Sequence, residues 1–379
     1  MASTKIVISG YYGYGNAGDE AILAAMLQAL SRELPDAEFC VLSGHPDRTR
    51  KAFGVRSVHG KNILAIMREL FRASLLVSGG GGLIQDSTGF QTIVYYLSIV
   101  RMARYLRKPV MFYAQGVGPV RTTQGRALTR KVASKVQLIT VRDDESKALF
   151  EEMGVQGPPI IVTADPVLAL EPASAARVDA ILADEAVPLD QRVVGLSVRP
   201  WPDSPQAREG FVAVGKDLVA RGCRVLVMPF QESQDREICD DIGQAIGEGA
   251  RVLRREYPPT ELMGIIGRLH AVVGMRLHAL IFGAAQGVPV AGVAYDPKVA
   301  HFLRRMEAPS VPLEGMTPAH LIAAARDVVD NAERHHERLL RLAPPMQEQA
   351  RDTARLLRDL LKGKGKMPRA GLMTSGGNL

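Results

Sequence analysis

Apolar and polar positions follow two rhythms along the chain. Short runs rich in Val, Ile and Leu predict strands at 5–9, 38–42, 74–78, 110–114, 136–141 and 160–163. Stretches with helical spacing lie between them, 19–34 and 143–153 among them. Near-continuous apolar strands that alternate with amphipathic helices predict a parallel sheet covered on both faces. The rhythm lapses at 171–191 (EPASAARVDAILADEAVPLDQ), which reads as a domain connection, and restarts with strands at 193–197, 224–228, 271–273 and 288–294. Residues 317–361 are helical in pattern, and no internal repeat of fixed period is present. The expected fold class is α/β, with two doubly wound domains facing across a cleft, at 1–175 and 190–320. C-terminal helices at 321–361 and a basic, disordered tail at 362–379 complete the expected organisation.

Composition narrows the partners. With 46% hydrophobic and 23% charged residues in 379, the chain is not globally disordered, and each half is long enough for a core of its own. The net charge of +7 suggests nucleic acid only until it is mapped. Lys362, Lys364, Lys366 and Arg369 supply four of those seven charges, so the body is mildly basic and no nucleic-acid partner is expected. Cys40, Cys223 and Cys239 are too scattered for a disulfide framework or a Cys-rich zinc site, and fit a reduced compartment. The chain enters a strand without a signal-peptide core, so a cytoplasmic location is expected. No apolar run reaches the ~20 residues that span a bilayer. Ser87 to Val100 carries no charge and then meets Arg101, Arg104, Arg107 and Lys108. That stretch is either a buried helix with a solvated basic end or a surface helix resting on anionic lipid.

Doubly wound sheets bind ligands outside the carboxyl ends of their strands. Those ends read GYYGYGNAGDE (10–20), SGGGGLIQD (78–86), AQGVGP (114–119), RDDES (142–146) and ADP (164–166) in the first half. In the second they read RPW (199–201), PFQES (229–233), GMRLH (274–278) and YDPK (295–298). Flexible backbone amides and cations at these ends suit an anionic ligand.

Gly13, Gly15 and Gly18 satisfy G-x-G-x-x-G after a strand. Asp19 and Glu20, however, occupy the positive helix end where a pyrophosphate would sit, and no acid closes the second strand to hold a ribose. The segment is then either a Gly-rich turn with an Asp19 cap, or a place where Asn16 and Asp19 bond sugar hydroxyls. Gly79 to Gly82 either point successive N–H groups into one anion-binding concavity, Gly80 and Gly81 at its centre, or pack a turn under a helix. Arg142 ends a strand beside Asp143 and Asp144, so it is either their ion-pair partner or a ligand contact, and Arg199 beside Trp201 has the same standing. In AVVGMRLHALIFGAAQGVPVAGVAYDPKV (271–299), His278 stands where a strand becomes a helix, with Arg276 two residues earlier and Lys298 after the next strand. His278 is either a hydrogen-bonded junction residue or part of the chemistry. A helix N-terminus disfavours imidazolium until an anion binds beside it. His270 and His278 lack metal-ligand spacing, so no metal is expected, and His335 and His336 are expected to face solvent.

GYYGYGNAGDEAIL, LLVSGGGGLIQD, FYAQGVGPV and GMRLHALIFGAAQGVPVAGVAYDPKVAHFL together resemble the polysaccharide pyruvyl transferases, most closely the bacterial cell-surface anchoring (CsaB) type. The likeness runs from about Lys5 to about Leu303. It implies two Rossmann-like domains arranged as in GT-B glycosyltransferases, with the acceptor on the first and the donor on the second. It also implies transfer of a pyruvyl group from phosphoenolpyruvate onto a hexose as a 4,6-ketal. For the anchoring type the acceptor is N-acetylmannosamine of a lipid-linked secondary cell-wall polymer precursor, and the product binds S-layer-homology domains. The family's essential histidine matches His278, and its basic donor-binding positions fall on Arg142 and Lys298.

The residues agree with that chemistry. Phosphoenolpyruvate is a compact carboxylate and phosphate that Arg142, Lys298, Arg199 and Arg276 can clamp, with Gly80 and Gly81 supplying amides. Asn16 and Gln115 are the expected acceptor contacts. His278 is the expected acid toward the donor's methylene carbon and Asp19 the base toward the incoming hydroxyl. No cofactor is expected beyond phosphoenolpyruvate as co-substrate. A lipid-linked acceptor predicts peripheral association with the inner face of the plasma membrane, through Arg101, Arg104, Arg107, Lys108 or the C-terminal lysines. Two alternatives remain at this stage. One is a GT-B nucleotide-sugar glycosyltransferase with Glu232 or Asp235 holding a ribose; the other is a sugar-phosphate-binding relative without turnover.

Overall fold

The computed structural model describes residues 4–87, 89–188, 190–201 and 205–363; the expected basic tail lies outside them from residue 364 onward. The chain divides into two compact units, each discontinuous in sequence. The first takes residues up to Tyr14, then Met26–Pro166, and then the chain from Gln349; the second takes Gly15–Ala25 and Val167–Glu348.

The strands of the first unit are β1 (Lys5–Tyr12), β2 (Glu38–Ser43), β3 (Arg56–His59), β4 (Leu75–Ser78), β5 (Gly81–Ile84), β6 (Val110–Val117), β7 (Leu138–Val141) and β8 (Ile160–Val162). They form one sheet in the order β3-β2-β1-β4-β6-β7-β8, with β5 paired on β6, and every pairing is parallel. The helices between the strands are α1 (Ala17–Glu33), α2 (Pro46–Phe53), α3 (Ile63–Arg72), α4 (Phe90–Tyr105), α5 (Thr123–Ala133) and α6 (Asp144–Glu152). Val7, Leu76, Val110, Phe112 and Ile139 of the strands pack with Ile66, Ile93, Leu97 and Phe150 of the helices in one core.

The second unit runs α7 (Ala175–Asp184), β9 (Val193–Ser197), α8 (Pro205–Ala220), β10 (Arg224–Val227), α9 (Glu232–Ile246), β11 (Ala250–Val252), α10 (Pro259–Ile266) and β12 (Ala271–Gly274). It continues with α11 (Leu277–Ala285), β13 (Val290–Ala294), α12 (Pro297–Arg305), β14 (Ser310–Pro312), α13 (Pro318–Asp330) and α14 (Ala332–Leu361), the last of which passes into the first unit at Gln349. Its all-parallel sheet has the order β11-β10-β9-β12-β13-β14, the doubly wound 3-2-1-4-5-6 arrangement. The strand order reverses between β1 and β4 in one sheet and between β9 and β12 in the other.

Three expectations change. Four strands, β3, β5, β11 and β14, were not foreseen. Three are edge strands of three or four residues with partly exposed faces, so they carry no continuous apolar run, and β5 opens on glycine. The stretch 171–191 is not merely a connection: Ser174 caps α7 by accepting from Arg177 N, and Val178, Ile181 and Leu182 form its buried stripe. His335 does not face solvent. It is 3% exposed at the head of an α14 stripe that continues through Leu339, Ala343 and Met346, and its Nε2 meets Asp327 Oδ2 at 3.0 Å. Burial pushes its pKa down against the pull of that carboxylate. His336 is exposed, with Nδ1 2.7 Å from Gly287 O.

Candidate active site

The reversal of strand order in the second unit opens its crevice at the ends of β9 and β12. Those ends are locked together by Met275 N donating to Ser197 O at 2.7 Å. Arg276 then caps α11, which places His278 in that helix's first turn. The segment that opens α1 arrives at the same place. Ala17 N donates to Phe230 O at 2.7 Å, and Asn16 pairs with Gln231 as an antiparallel bridge, their side-chain amides 3.5 Å apart. Asn16, rather than Asp19, is the cap of α1: its Oδ1 accepts from Gly18 N at 3.0 Å and from Asp19 N at 3.4 Å.

Gly18 packs against the imidazole at Nδ1. A Cβ there would stand 2.7 Å from His278 Cγ, 2.8 Å from Cε1 and closer still to Nδ1. The first turns of α1 and α11 therefore meet on the His278 ring, with Asp19 the next residue along. Two helix N-termini bring their positive ends to one imidazole, which favours an anion beside it.

Asp235 holds this corner together. It is fully buried, and its Oδ2 accepts from Phe230 N at 3.1 Å, Gln231 N at 2.9 Å and Arg276 Nε at 3.0 Å, while Oδ1 takes Arg276 Nη2. Arg276 is 8% exposed and its charge is thus met inside the protein. Glu232 is engaged in a two-pronged pair with Arg236, at 2.7 and 2.9 Å.

Arg199, beyond the end of β9, lies between two rings, its guanidinium carbon 5.4 Å from the centroid of Trp201 and 5.2 Å from that of Tyr295. Its Nη1 donates to Tyr295 Oη at 3.3 Å. Arg199 Nε and Ser197 Oγ are buried without a hydrogen-bond partner among the described residues. Buried polar atoms are normally satisfied, so this pair stands out at the strand ends. Lys298 stands in the first turn of α12, with Nζ 3.6 Å from Asp296, the cap of that helix.

The first unit holds the other predicted residues. The glycine run is not the four-amide concavity the sequence suggests, because Gly79 N is spent on Ser9 O at 2.7 Å and Gly81 begins β5. Gly80 and Gly81 are buried at the reversal point of this sheet, Gly81 with φ of 98°, a conformation that favours glycine. A bulge in β6 at Ala114, with φ of 45°, turns Gln115 back toward Gly79, and its Nε2 donates to Ser78 O at 3.2 Å and to Gly79 O. Gln115 is fully buried, and its Oε1 has no hydrogen-bond partner among the described residues. Arg142 is 6% exposed, with Nη1 2.7 Å from Asp165 Oδ2 and Nε 3.6 Å from Asp143. Its guanidinium covers Gly116, where a Cβ would fall 2.6 Å from Nε and Nη2. Burial raises the Cys40 and Cys239 thiols to about 12, so neither supplies a thiolate near neutral pH.

The structure thus gathers Asn16, Gly18, Asp19, Arg276 and His278 in one corner, Arg199 and Lys298 on the same sheet, and Gly80, Gly81, Gln115 and Arg142 on the other sheet. Sequence reading missed Gln231, Tyr295 and the bracing role of Asp235. The strand-end position of PFQES and YDPK was the available signal, but their partners lie far away in the chain.

Residues 16–297 match the family profile for polysaccharide pyruvyl transferase. The curated protein AmsJ of Erwinia amylovora, an amylovoran biosynthesis protein, is 22% identical over 404 residues, covering 89% of this chain and 95% of AmsJ. Among solved structures, S. aureus MnaA in complex with UDP aligns with a TM-score of 0.67 at 11% identity, covering 95% of this chain and 97% of that one. ADP-heptose LPS heptosyltransferase II of E. coli aligns with a TM-score of 0.52 at 14% identity, covering 87% and 99%. At these identities the structural likenesses establish the fold, two Rossmann-like domains of the GT-B kind. The chain belongs to the polysaccharide pyruvyl transferase family. It is an enzyme of polysaccharide synthesis that takes phosphoenolpyruvate and a polysaccharide acceptor as substrates.

Proposed function

We propose that this enzyme builds a pyruvyl ketal across two hydroxyls of a hexose in a lipid-linked cell-surface polymer precursor, with His278 as its acid. The observation that carries the assignment is the packing of Gly18 on His278 where two helix N-termini meet. Two helix N-termini there favour the anionic donor beside the imidazole. His278 then protonates the donor's methylene carbon, leaving a cation at C2. A sugar hydroxyl adds there and gives its proton to Asp19. Phosphate departs with the electron pair of its bond to C2, and the second hydroxyl adds to the cation so re-formed and returns a proton to His278, closing the ketal with one phosphate released for each pyruvyl group transferred.

The buried donor of Arg199 and the charge of Lys298 meet the donor's oxygens. Arg276 and Arg142 are each buried against a carboxylate, which orients each guanidinium for the donor contact expected from the sequence. Asn16 orients the helix start, and Gln115 Oε1 accepts from an acceptor hydroxyl. The N-acetylmannosamine acceptor and 4,6-regiochemistry of the anchoring type belong to this proposal, as does a place at the inner face of the plasma membrane. Among the described residues no helix is long and apolar enough to cross a membrane. The nucleotide-sugar alternative loses its ribose-binding acids, since Asp235 is buried under Arg276 and Glu232 is paired with Arg236.

Thermal stabilisation tests the donor directly. Phosphoenolpyruvate at a hundred times its Kd adds about 2.7 kcal/mol, and UDP and UDP-sugars add nothing. A shift with UDP compounds alone overturns the proposal in favour of glycosyl transfer.

A further inference from the structure

Helix α3 has two apolar faces. Ile66 and Leu70 enter the core of the first unit, with Glu69 buried between them in a 2.7 Å pair with Arg56. The adjoining flank leaves Leu64 83% exposed and Phe71 70%, and at the start of the helix Ile63 is 64% exposed. A stable core does not need them there, and helices seldom leave three large apolar side chains in water without a use for them. Basic residues frame them: Lys61, Arg68 and Arg72 on and beside α3 are all exposed. The C-terminal end of α4 continues the same face. Lys108 Nζ lies 6.0 Å from the Phe71 ring centroid, Tyr105 is 82% exposed, and Arg101 and Arg107 are exposed as well. A hollow of about 530 Å³ opens beside Tyr105 between Arg101 and Arg104. Arg68, Arg72, Arg101 and Arg107 make no ion pair among the described residues. Glu69 is the one acid in 60–74, and 98–108 contains none.

We infer that the outer face of α3, continued by the end of α4, is a docking surface for an anionic lipid bilayer. Ile63, Leu64 and Phe71 enter the acyl boundary, and the surrounding cations meet lipid phosphates. Exposed aliphatic side chains are of little use to a nucleic-acid backbone. A second copy of the same face would set cation against cation. An anionic leaflet satisfies both the apolar side chains and their basic frame. The basic end of α4, read from sequence as one possible membrane contact, is thereby the flank of a site whose inserted element is α3. The inference rests on this surface and not on the identity of the reaction.

The full chain is co-sedimented with vesicles of phosphatidylcholine, with and without phosphatidylglycerol. Binding is expected only with the anionic lipid and weakens as salt rises. Each charge reversal among Arg68→Glu, Arg72→Glu and Arg101→Glu lowers partitioning at least about fivefold. Leu64→Ser with Phe71→Ser removes the salt-resistant part, and these exposed changes leave the unfolding temperature in place. In Phe71→Trp, fluorescence is quenched by brominated acyl chains. Three results overturn the inference: no binding, binding lost only on removing residues 364–379, or self-association without lipid that Leu64→Ser abolishes. Phosphoenolpyruvate stabilisation measured on the same variants stays unchanged, so loss of docking and loss of the reaction are read separately.

Discussion

His278 and Gly18 constrain one another, and the constraint is measurable from either side. His278→Ala removes the proton donor and lowers turnover by about 10²–10⁴ while leaving the unfolding temperature near that of the wild type. Gly18→Ala forces a methyl into the imidazole. Turnover falls through displacement of the ring, and overpacking costs about 1–3 kcal/mol in thermal unfolding. A turnover loss in His278→Ala that is matched by collapse of the fold would instead make the histidine structural. His335 gives a separate signature of pH. Its pKa is depressed in the folded protein by burial, so the unfolded chain binds the extra proton first. The contribution is fully present above the ordinary value of 6.5 and is lost as the pH falls below it. The unfolding temperature should therefore fall on acidification from that value, more steeply in the wild type than in His335→Gln.

At the scale of elements, Asp235 joins the β10–α9 turn to the start of α11 through one carboxylate. Asp235→Ala leaves a buried guanidinium without its counter-charge and costs about 3–5 kcal/mol, read as a lowered midpoint in denaturant. Asp235→Asn keeps the shape and should recover part of that loss. The same scale shows what was legible in the sequence. Central strands such as β9 and β12 are buried on both faces, so their apolar runs announce them, and their carboxyl ends follow. The place of His278 just beyond β12 was legible in this way. The edge strands β3, β11 and β14 were illegible because half of each faces outward, whereas the edge strand β8 was announced by its Ile-Ile-Val run; β5 was hidden because its pairing with β6 rather than its own residues makes it a strand. The Asn16–Gln231 bridge was equally hidden, since nothing near Asn16 in the chain specifies a partner 215 residues away.

For the molecule as a whole, the discontinuity of the units matters more than any one contact. Residues 349–361 of α14 belong to the first unit and bury Ala350, Thr353, Ala354 and Leu357 there. Thr353 donates to Thr163 at 3.0 Å, and Arg358 pairs with Glu33 at 2.5 Å. Leu357→Ala should therefore cost about 2–5 kcal/mol, as large as a substitution in the central sheet. A chain ending at residue 348 should leave its first unit open to protease.

The same arrangement sets a timetable. At about 5–20 residues per second, the ribosome adds residues 167–348 on the order of ten to forty seconds before the closing turns of α14 follow. The first sheet to be made waits through all of that interval with one flank of its core uncovered. Its early loops must therefore tolerate a long exposure that the second sheet, completed in a single stretch of synthesis after Pro166, never experiences.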